Sequence, residues 1–173
     1  MPVFEVPFGF AHAVRDAHYH DDALLFCKLS GPVSFDSAGE NFLMGPDFVA
    51  VRGAMQLLVR DRLEDRLLYD PSRPEGGPSV LDAVSGRPVE GLIMTPWPFR
   101  PTVEVIALVL ATWVSKIVAE HAATVEEFEF WESSRSGVFL DRSMVAEAES
   151  QLRRIADVPG VDALLDVGSP AGG

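Results

Sequence analysis

The chain has 173 residues, of which 47% are hydrophobic, which is enough apolar material for one domain with a core and too much for a disordered chain. Its formal net charge of −12 argues against a nucleic-acid partner, because binding phosphates requires a basic face. The same charge suits a basic protein as a partner.

Cys27 is the only cysteine, so the chain forms no internal disulfide. It lies in the apolar run ALLFCKL, which indicates a small buried side chain rather than a reactive thiol. The first residues lack the charged region and the following apolar run of an export signal, so we expect a cytoplasmic protein.

Short apolar runs separated by turn residues fill the N-terminal part of the chain and predict a β-meander. The expected strands are residues 3–8, 23–29, 33–36, 41–44 and 48–51. The first of them is expected at an edge of the sheet, because Pro2 and Pro7 donate no backbone hydrogen bond.

The middle of the chain is less regular. Between residues 53 and 68, apolar side chains recur at every fourth position, which favours a helix, while two short strands remain the alternative. Residues 71–78 have the composition of a surface loop, and residues 91–95 form an apolar run typical of a buried strand. Residues 95–101 (TPWPFRP), here called the prolyl segment, contain three prolines and are expected to be extended and stiff.

The longest apolar stretch, residues 103–120, predicts a buried central helix at about 102–122. No charged side chain lies between Glu104 and Lys116, and apolar residues fall on nearly every face of the helix. Thr102 is placed to cap its N-terminus. A membrane-spanning helix needs about 20 apolar residues, and this stretch is shorter, so no association with a membrane is expected.

After the central helix, residues 125–132 alternate phenylalanine with glutamate, which predicts a half-buried strand. Residues 138–140 are expected to return antiparallel to it. Asp141 stands where an N-cap belongs and opens a second helix at about 142–156.

These elements predict an α+β fold, because strands and helices alternate irregularly and no strand–helix–strand repeat is present. We expect a mostly antiparallel sheet, made of the N-terminal β-meander and the C-terminal hairpin, packed on the central helix and the C-terminal helix. A single domain over residues 1–166 and a disordered tail over residues 167–173 complete this prediction.

His18 and His20 are two residues apart, so on a strand their side chains would point the same way and could bind one cation. With Gly31, the residues that follow resemble the first cupin motif, and the resemblance implies a barrel that binds a small ligand or a metal. However, Leu24 stands where that motif has its glutamate ligand, and the next histidine, His121, comes too late for the second motif. We therefore expect two exposed loop histidines, no bound metal and no other cofactor.

Four glutamates crowd the predicted strand near residue 130: Glu126, Glu127, Glu129 and Glu132. Such a run is typical of a solvated strand face, and it is also the kind of surface that meets basic side chains on a partner.

The sequence contains no complete catalytic or cofactor motif: it lacks a nucleophile elbow, a phosphate-binding glycine loop, a paired-cysteine zinc site and a dinucleotide fingerprint. It therefore favours a non-catalytic cytoplasmic binding protein whose four glutamates meet a basic protein, as in an immunity protein, an inhibitor or a chaperone. One alternative is a cupin-like small-ligand sensor or metal-binding enzyme that uses His18 and His20. Another is a structural subunit of a larger assembly, and a homo-oligomer is compatible with each hypothesis.

Overall fold

The computed structural model describes residues 1, 3–31, 34–35, 42–43, 48–73 and 79–168. Within these residues the chain forms ten strands and four helices. The strands are β1 (Val3–Ala13), β2 (Ala17–Ser30), β3 (Ser34–Phe35), β4 (Phe42–Leu43), β5 (Arg66–Tyr69), β6 (Val80–Asp82), β7 (Pro88–Val89), β8 (Ile93–Pro96), β9 (Thr124–Ser133) and β10 (Ser136–Asp141). The helices are α1 (Phe48–Arg62), α2 (Val103–Glu120), α3 (Arg142–Ile155) and α4 (Val158–Leu165).

Eight strands form one mixed sheet, curled into a half-barrel, in the order β10-β9-β2-β1-β5-β8. Within this order, β10, β9, β2 and β1 pair antiparallel with one another. Strand β5 pairs parallel with β1, β8 parallel with β5, and β6 parallel with β2, while β7 extends the sheet from β6. Strands β3 and β4 form a separate two-stranded sheet.

The predicted α+β fold with a mostly antiparallel sheet on a central helix is wrong, because the sheet is mixed and four helices accompany it. The three parallel strands are short: β5 and β8 have four residues each and β6 has three. Strand β8 lies where a buried strand was predicted at 91–95, but it is at the edge of the sheet, and Ile93 and Met94 are 52% and 48% exposed. Strands of this length show little alternation, and parallel partners are not joined by a hairpin turn, so neither pattern marks their pairing.

The predicted N-terminal meander is also wrong. Strands β1 and β2 form one long hairpin, and β1 lies between β2 and β5 rather than at an edge. Residues 48–51 open helix α1 instead of forming a strand. The small β3–β4 hairpin is antiparallel as expected, whereas the turn predicted for it, residues 37–39, lies outside the described residues.

The region 53–68 contains the end of a helix and the start of a strand. Met55, Val59 and Leu63 are buried along α1 and the turn that follows it, as the four-residue spacing predicts. Leu67 continues that spacing but belongs to β5, because the chain turns at Asp65, which has a φ of 55°. The four-residue spacing of apolar residues therefore continues past the end of the helix by coincidence.

Helix α2 lies where the sequence predicted a central helix and forms the middle of the main core. Its side chains from Ile106 to Val114 are buried apart from Leu108, which is partly buried. Thr102 caps the helix, because its side-chain oxygen accepts a hydrogen bond from the Val105 amide at 3.4 Å. The helix thus begins directly after the prolyl segment.

The C-terminal part contains one helix more than predicted. Asp141 caps α3 as expected, with its carboxylate accepting from the Met144 amide at 2.9 Å. Pro159 was expected to end the C-terminal helix, but it lies in the first turn of α4. Backbone N–H groups in a first turn have no hydrogen-bond partner within the helix, so a proline is tolerated there. The tail predicted at 167–173 lies outside the described residues from 169 onwards. None of the helices in the described ranges is both long and apolar enough to cross a membrane.

Candidate metal centre

The β1–β2 hairpin contains an irregularity that decides which side chains face each other. Phe8 lies opposite Ala23, but Phe10 lies opposite His20. Without this register shift the ladder would place Asp21 opposite Phe10. Beyond the shift, the ring of Phe10 lies 5.8 Å from that of His20, so the histidine sits over the buried aromatic side chain.

Three side chains of types that can bind a metal converge beside this point. His12 of β1, His20 of β2 and Glu132 of β9 each offer a ligand atom, and these atoms all lie within 4.8 Å of one another. The rings of His12 and His20 are 5.2 Å apart, and Nε2 of His12 lies 3.0 Å from Oε2 of Glu132. Because the three residues come from three adjacent strands, the order of the sheet assembles this group. We call it the His–Glu cluster.

The cluster is mostly shielded from solvent. His12 is 8% exposed, and the side chain of Glu132 is 16% exposed. A hydrogen bond from His12 lowers the pKa of Glu132 to about 2. A hydrogen bond from Ser136 acts in the same direction, and burial acts against both. The carboxylate is therefore ionised at neutral pH.

His20 has a ring nitrogen with no protein partner. Its Nδ1 is buried and forms no hydrogen bond with any residue in the described part of the chain. Burial is also the main cause that lowers the pKa of His20, followed by the charge of His12. A neutral imidazole with an unused nitrogen beside a carboxylate is the form that binds a transition metal, so the cluster fits such an ion.

A cavity of about 460 Å³ opens onto the cluster. Besides the cluster, its lining includes His18, Arg15 and Asp16 from the β1–β2 turn and Glu104 from the first turn of α2. His18 is exposed and lies directly opposite His12 in the β1–β2 ladder. The prediction that His18 and His20 lie in a loop is therefore wrong, because both belong to β2.

The four glutamates proposed as one binding surface have separate contacts. Glu126 accepts a hydrogen bond from Ser30 and pairs with Arg142 at 3.3 Å. Glu127 pairs with Lys28 of β2 at 2.8 Å, and Glu129 accepts a hydrogen bond from Trp131 Nε1 at 2.7 Å. Glu132 belongs to the His–Glu cluster. Whether any of the other three meets a partner stays a prediction.

Sequence reasoning did not predict that His12 and Glu132 lie beside His20, and it named Glu132 only as part of an acidic surface. Both follow the alternation of buried residues on their strands: His12 continues Phe8 and Phe10, and Glu132 continues Phe130. A polar residue at the end of such a buried series is a usable signal. What the sequence does not reveal is that β1, β2 and β9 are neighbours.

The sequence of residues 30–143 matches the protein family described as 6-pyruvoyl tetrahydropterin synthase. The fold is similar to that of an uncharacterized protein from Wolinella succinogenes, with a TM-score of 0.58 and 17% identity over 81% of this chain and 96% of that one. It is also similar to 6-pyruvoyl tetrahydropterin synthase from Plasmodium vivax, with a TM-score of 0.52 and 13% identity over 82% of this chain and 99% of that one. For the Plasmodium falciparum enzyme the TM-score is 0.50 and the identity 12%, over 80% and 96% of the two chains. No curated protein sequence matches the chain.

Because the match spans more than half of its residues, the chain belongs to the 6-pyruvoyl tetrahydropterin synthase family. The prediction of a non-catalytic binding protein of the immunity-protein type is therefore wrong, since the family is named after an enzyme. The cupin resemblance around Gly31 is wrong as well, because the fold is that of pterin synthases. The match covers Glu132 but begins after His12 and His20, so the candidate metal centre is supported by the geometry and not by the family match.

Proposed function

We propose that this chain is an enzyme that binds a divalent transition metal at the His–Glu cluster and acts on a pterin-type substrate in the adjoining cavity. The observation that carries the proposal is the convergence of three ligand atoms within 4.8 Å, one of them on a histidine with a buried, unpartnered ring nitrogen in the described region. Buried polar atoms of folded proteins nearly always have a partner, and a bound cation would supply one.

The donor set favours zinc or a similar ion. Two imidazoles and one carboxylate are a set found in catalytic zinc sites, which keep a further position for water or substrate. When bound, such an ion acts as a Lewis acid on a substrate oxygen. His12 and His20 would hold it together with the ionised carboxylate of Glu132, and His18 at the rim offers another imidazole.

The family and the cavity support this substrate class. The Plasmodium relatives are named for a tetrahydropterin, and the cavity of about 460 Å³ has the size of a small-molecule site, roughly 300 to 1,000 Å³. Arg15, Asp16 and Glu104 line it and offer both donors and acceptors to a polar heterocycle. These groups would bind and orient the substrate beside the cluster.

The thiol of Cys27 has no part in this function. Its side chain is fully buried, and burial raises its pKa to about 12, so it stays protonated and is no nucleophile at neutral pH. Proton transfer in the cavity would instead fall to carboxylates and imidazoles, which line it.

A homo-oligomer is consistent with membership of the family, whereas nothing supports the basic protein partner expected from the charge. Two exposed aromatic side chains on the last two strands, Trp131 and Phe139, provide an apolar surface for contact between copies of the chain. We therefore place self-association, rather than a basic partner, within the proposed function.

The proposal is tested by zinc binding to metal-free protein, measured by titration calorimetry with His20→Ala and a matched control, His121→Ala. His121 follows the far end of α2 and lies outside the cluster. We expect the parent and the control to bind one zinc ion per chain and His20→Ala to lose that binding. Free pterin fluorescence, quenched by the parent and less by His20→Ala, would support the substrate class. Equal zinc binding by both variants, or none by the parent, would contradict the metal centre.

A further inference from the structure

His12 is held by a backbone carbonyl that comes from outside the sheet. Its Nδ1 lies 2.7 Å from the carbonyl oxygen of Pro101, which can only accept a hydrogen bond, so Nδ1 carries a proton. The opposite nitrogen, Nε2, is thereby directed towards Glu132 at 3.0 Å. A histidine ligand held at its other nitrogen has a fixed tautomer and a fixed ring plane.

The carbonyl of Pro101 is available because of where the helix begins. Thr102 is the N-cap of α2, and its own carbonyl accepts the helical hydrogen bond from the Ile106 amide at 2.9 Å. Pro101 precedes the N-cap, so its carbonyl lies outside the helical hydrogen-bond series. The Pro101 carbonyl, at the end of the prolyl segment, is thus free to accept the hydrogen bond from His12.

Arg100 fastens this end of the prolyl segment to the strand that carries His12. Its Nε donates a hydrogen bond to the carbonyl oxygen of Val14 at 2.5 Å, and Val14 follows His12 by two residues. The two hydrogen bonds run in opposite directions: His12 of the strand donates to the segment, and Arg100 of the segment donates to the chain just after the strand. Together they fix the carbonyl of Pro101 relative to the imidazole.

The other end of the prolyl segment has its own anchors. Trp97 is 1% exposed and meets the rings of Phe99 and Trp113 edge-on, at centroid distances of 5.8 and 6.2 Å. The Trp97 amide also donates to the carbonyl of Tyr69 at 2.8 Å. Loss of the Arg100 hydrogen bond would therefore free the last residues of the segment without releasing the whole of it.

We propose that Arg100 is a positioning residue for the metal centre: by binding the Val14 carbonyl it keeps the Pro101 carbonyl on Nδ1 of His12, and so presents Nε2 to the cation. This inference rests on the proposed function for its consequence, while the hydrogen-bond arrangement itself is independent of any metal. Removing a group that orients a metal ligand through a second bond typically weakens metal binding about 10- to 100-fold.

The test compares Arg100→Met, which keeps the apolar stem and removes the donor, with Arg100→Lys, which keeps a donor. Arg62→Met is the matched control, because Arg62 also donates to a backbone carbonyl, that of Asp166 at 2.8 Å, on α1 and away from the cluster. Two quantities are measured: the nitrogen-15 shifts of the His12 ring in metal-free protein, and zinc affinity by titration calorimetry.

We expect Arg100→Met to move the His12 Nδ1 shift away from that of a nitrogen hydrogen-bonded to a carbonyl, and to weaken zinc binding about tenfold. Arg100→Lys should restore most of both properties, and Arg62→Met should leave both unchanged. Unaltered His12 shifts and zinc affinity in Arg100→Met would overturn the inference, as would an equal loss in Arg62→Met. Absence of zinc binding in the parent would overturn the proposed function instead, and the nitrogen shifts would then decide the role of Arg100 alone. If Arg100→Met fails to fold, Arg100→Lys provides the test. His12 shifts and a zinc affinity like those of the parent would support the inference, and disturbed His12 shifts would contradict a role of Arg100 as a hydrogen-bond donor.

Discussion

Strand β9 carries glutamates in two environments, although the sequence presents them as one run. Glu132 lies at the end of the strand, is 16% exposed, and contacts His12 from another strand. Glu127 and Glu129, here called the outer pair, alternate with the buried Phe128 and Phe130 and face the opposite side of the sheet. Glu127 is 40% exposed and pairs with Lys28.

The difference teaches that the surroundings, and not the residue type, give a carboxylate its role. A carboxylate shielded from water interacts strongly with its neighbours, because the effective dielectric constant there is low. An exposed ion pair gains about 0 to 1 kcal/mol, because water and salt screen it. Glu132 therefore has a perturbed pKa and metal-binding neighbours, while the outer pair has local surface contacts.

The largest effect on stability is expected from a charge on the buried face of β9, between Glu132 and the outer pair. Phe130→Asp should abolish soluble folding, because Phe130 is fully buried and packs within 5.8 Å of the Phe10 ring and 6.2 Å of the Phe8 ring. An unpaired buried carboxylate costs several kcal/mol against a total stability of about 5 to 15 kcal/mol. A cooperative thermal melt within a few degrees of the parent would refute the assignment of faces.

The next effect separates the two groups of glutamates by metal binding. Glu132→Gln should weaken zinc affinity about 100-fold, roughly 2.7 kcal/mol, because it replaces a charged ligand by a neutral one. Glu129→Gln is the matched control on the same strand and should bind zinc like the parent. Isotope dialysis of both variants measures the ratio directly. Equal affinities would show that Glu132 is no ligand.

A pH effect on stability should also distinguish Glu132 in metal-free protein. Its pKa is lowered from 4.5 to about 2 in the fold, so its contribution is present above pH 4.5 and is lost as the pH falls towards 2. Glu132→Gln should therefore be less stable than the parent at pH 7, by on the order of 2 kcal/mol, with the gap narrowing below pH 4.5. Urea unfolding with a chelator at pH 7 and pH 3 measures it. A difference in stability between the parent and Glu132→Gln that grows as the pH falls would contradict this prediction.

The smallest effect is expected on the outer face. Glu127→Lys/Glu129→Lys removes the exposed pair between Glu127 and Lys28 and should change the stability by about 1 kcal/mol or less. The double variant should also keep the zinc affinity of the parent. Its thermal melt and its zinc titration provide the check. A collapsed melt would mean that the outer pair supports the core.

Local features of this fold could be predicted from the sequence, because their causes are local. The N-caps Thr102 and Asp141, the apolar stretch of α2 and the alternation of β9 each depend on a few neighbouring residues. The prolyl segment was expected to be stiff for the same reason. Its use as a support for His12 was not, because that contact joins residues 89 positions apart.

The strand order and the His–Glu cluster depend on pairing between residues far apart in the chain, which the sequence pattern does not show. The short parallel strand β5 has four residues, too few to show which neighbour it pairs with. The i, i+2 spacing drew attention to His18 and His20, whereas His12 and Glu132 lie beside His20 only because β1 and β9 flank β2. A register shift in β1 was equally invisible, although it places His20 opposite Phe10.

The metal centre is tested most directly by anomalous diffraction from crystals grown with zinc, recorded on both sides of the zinc absorption edge. We expect one strong anomalous peak per chain, with nitrogens of His12 and His20 and an oxygen of Glu132 at roughly 2.0 to 2.2 Å from it. The Nδ1 of His12 should remain on the Pro101 carbonyl. A zinc ion bound only elsewhere, with His12 still paired to Glu132, would contradict the metal centre.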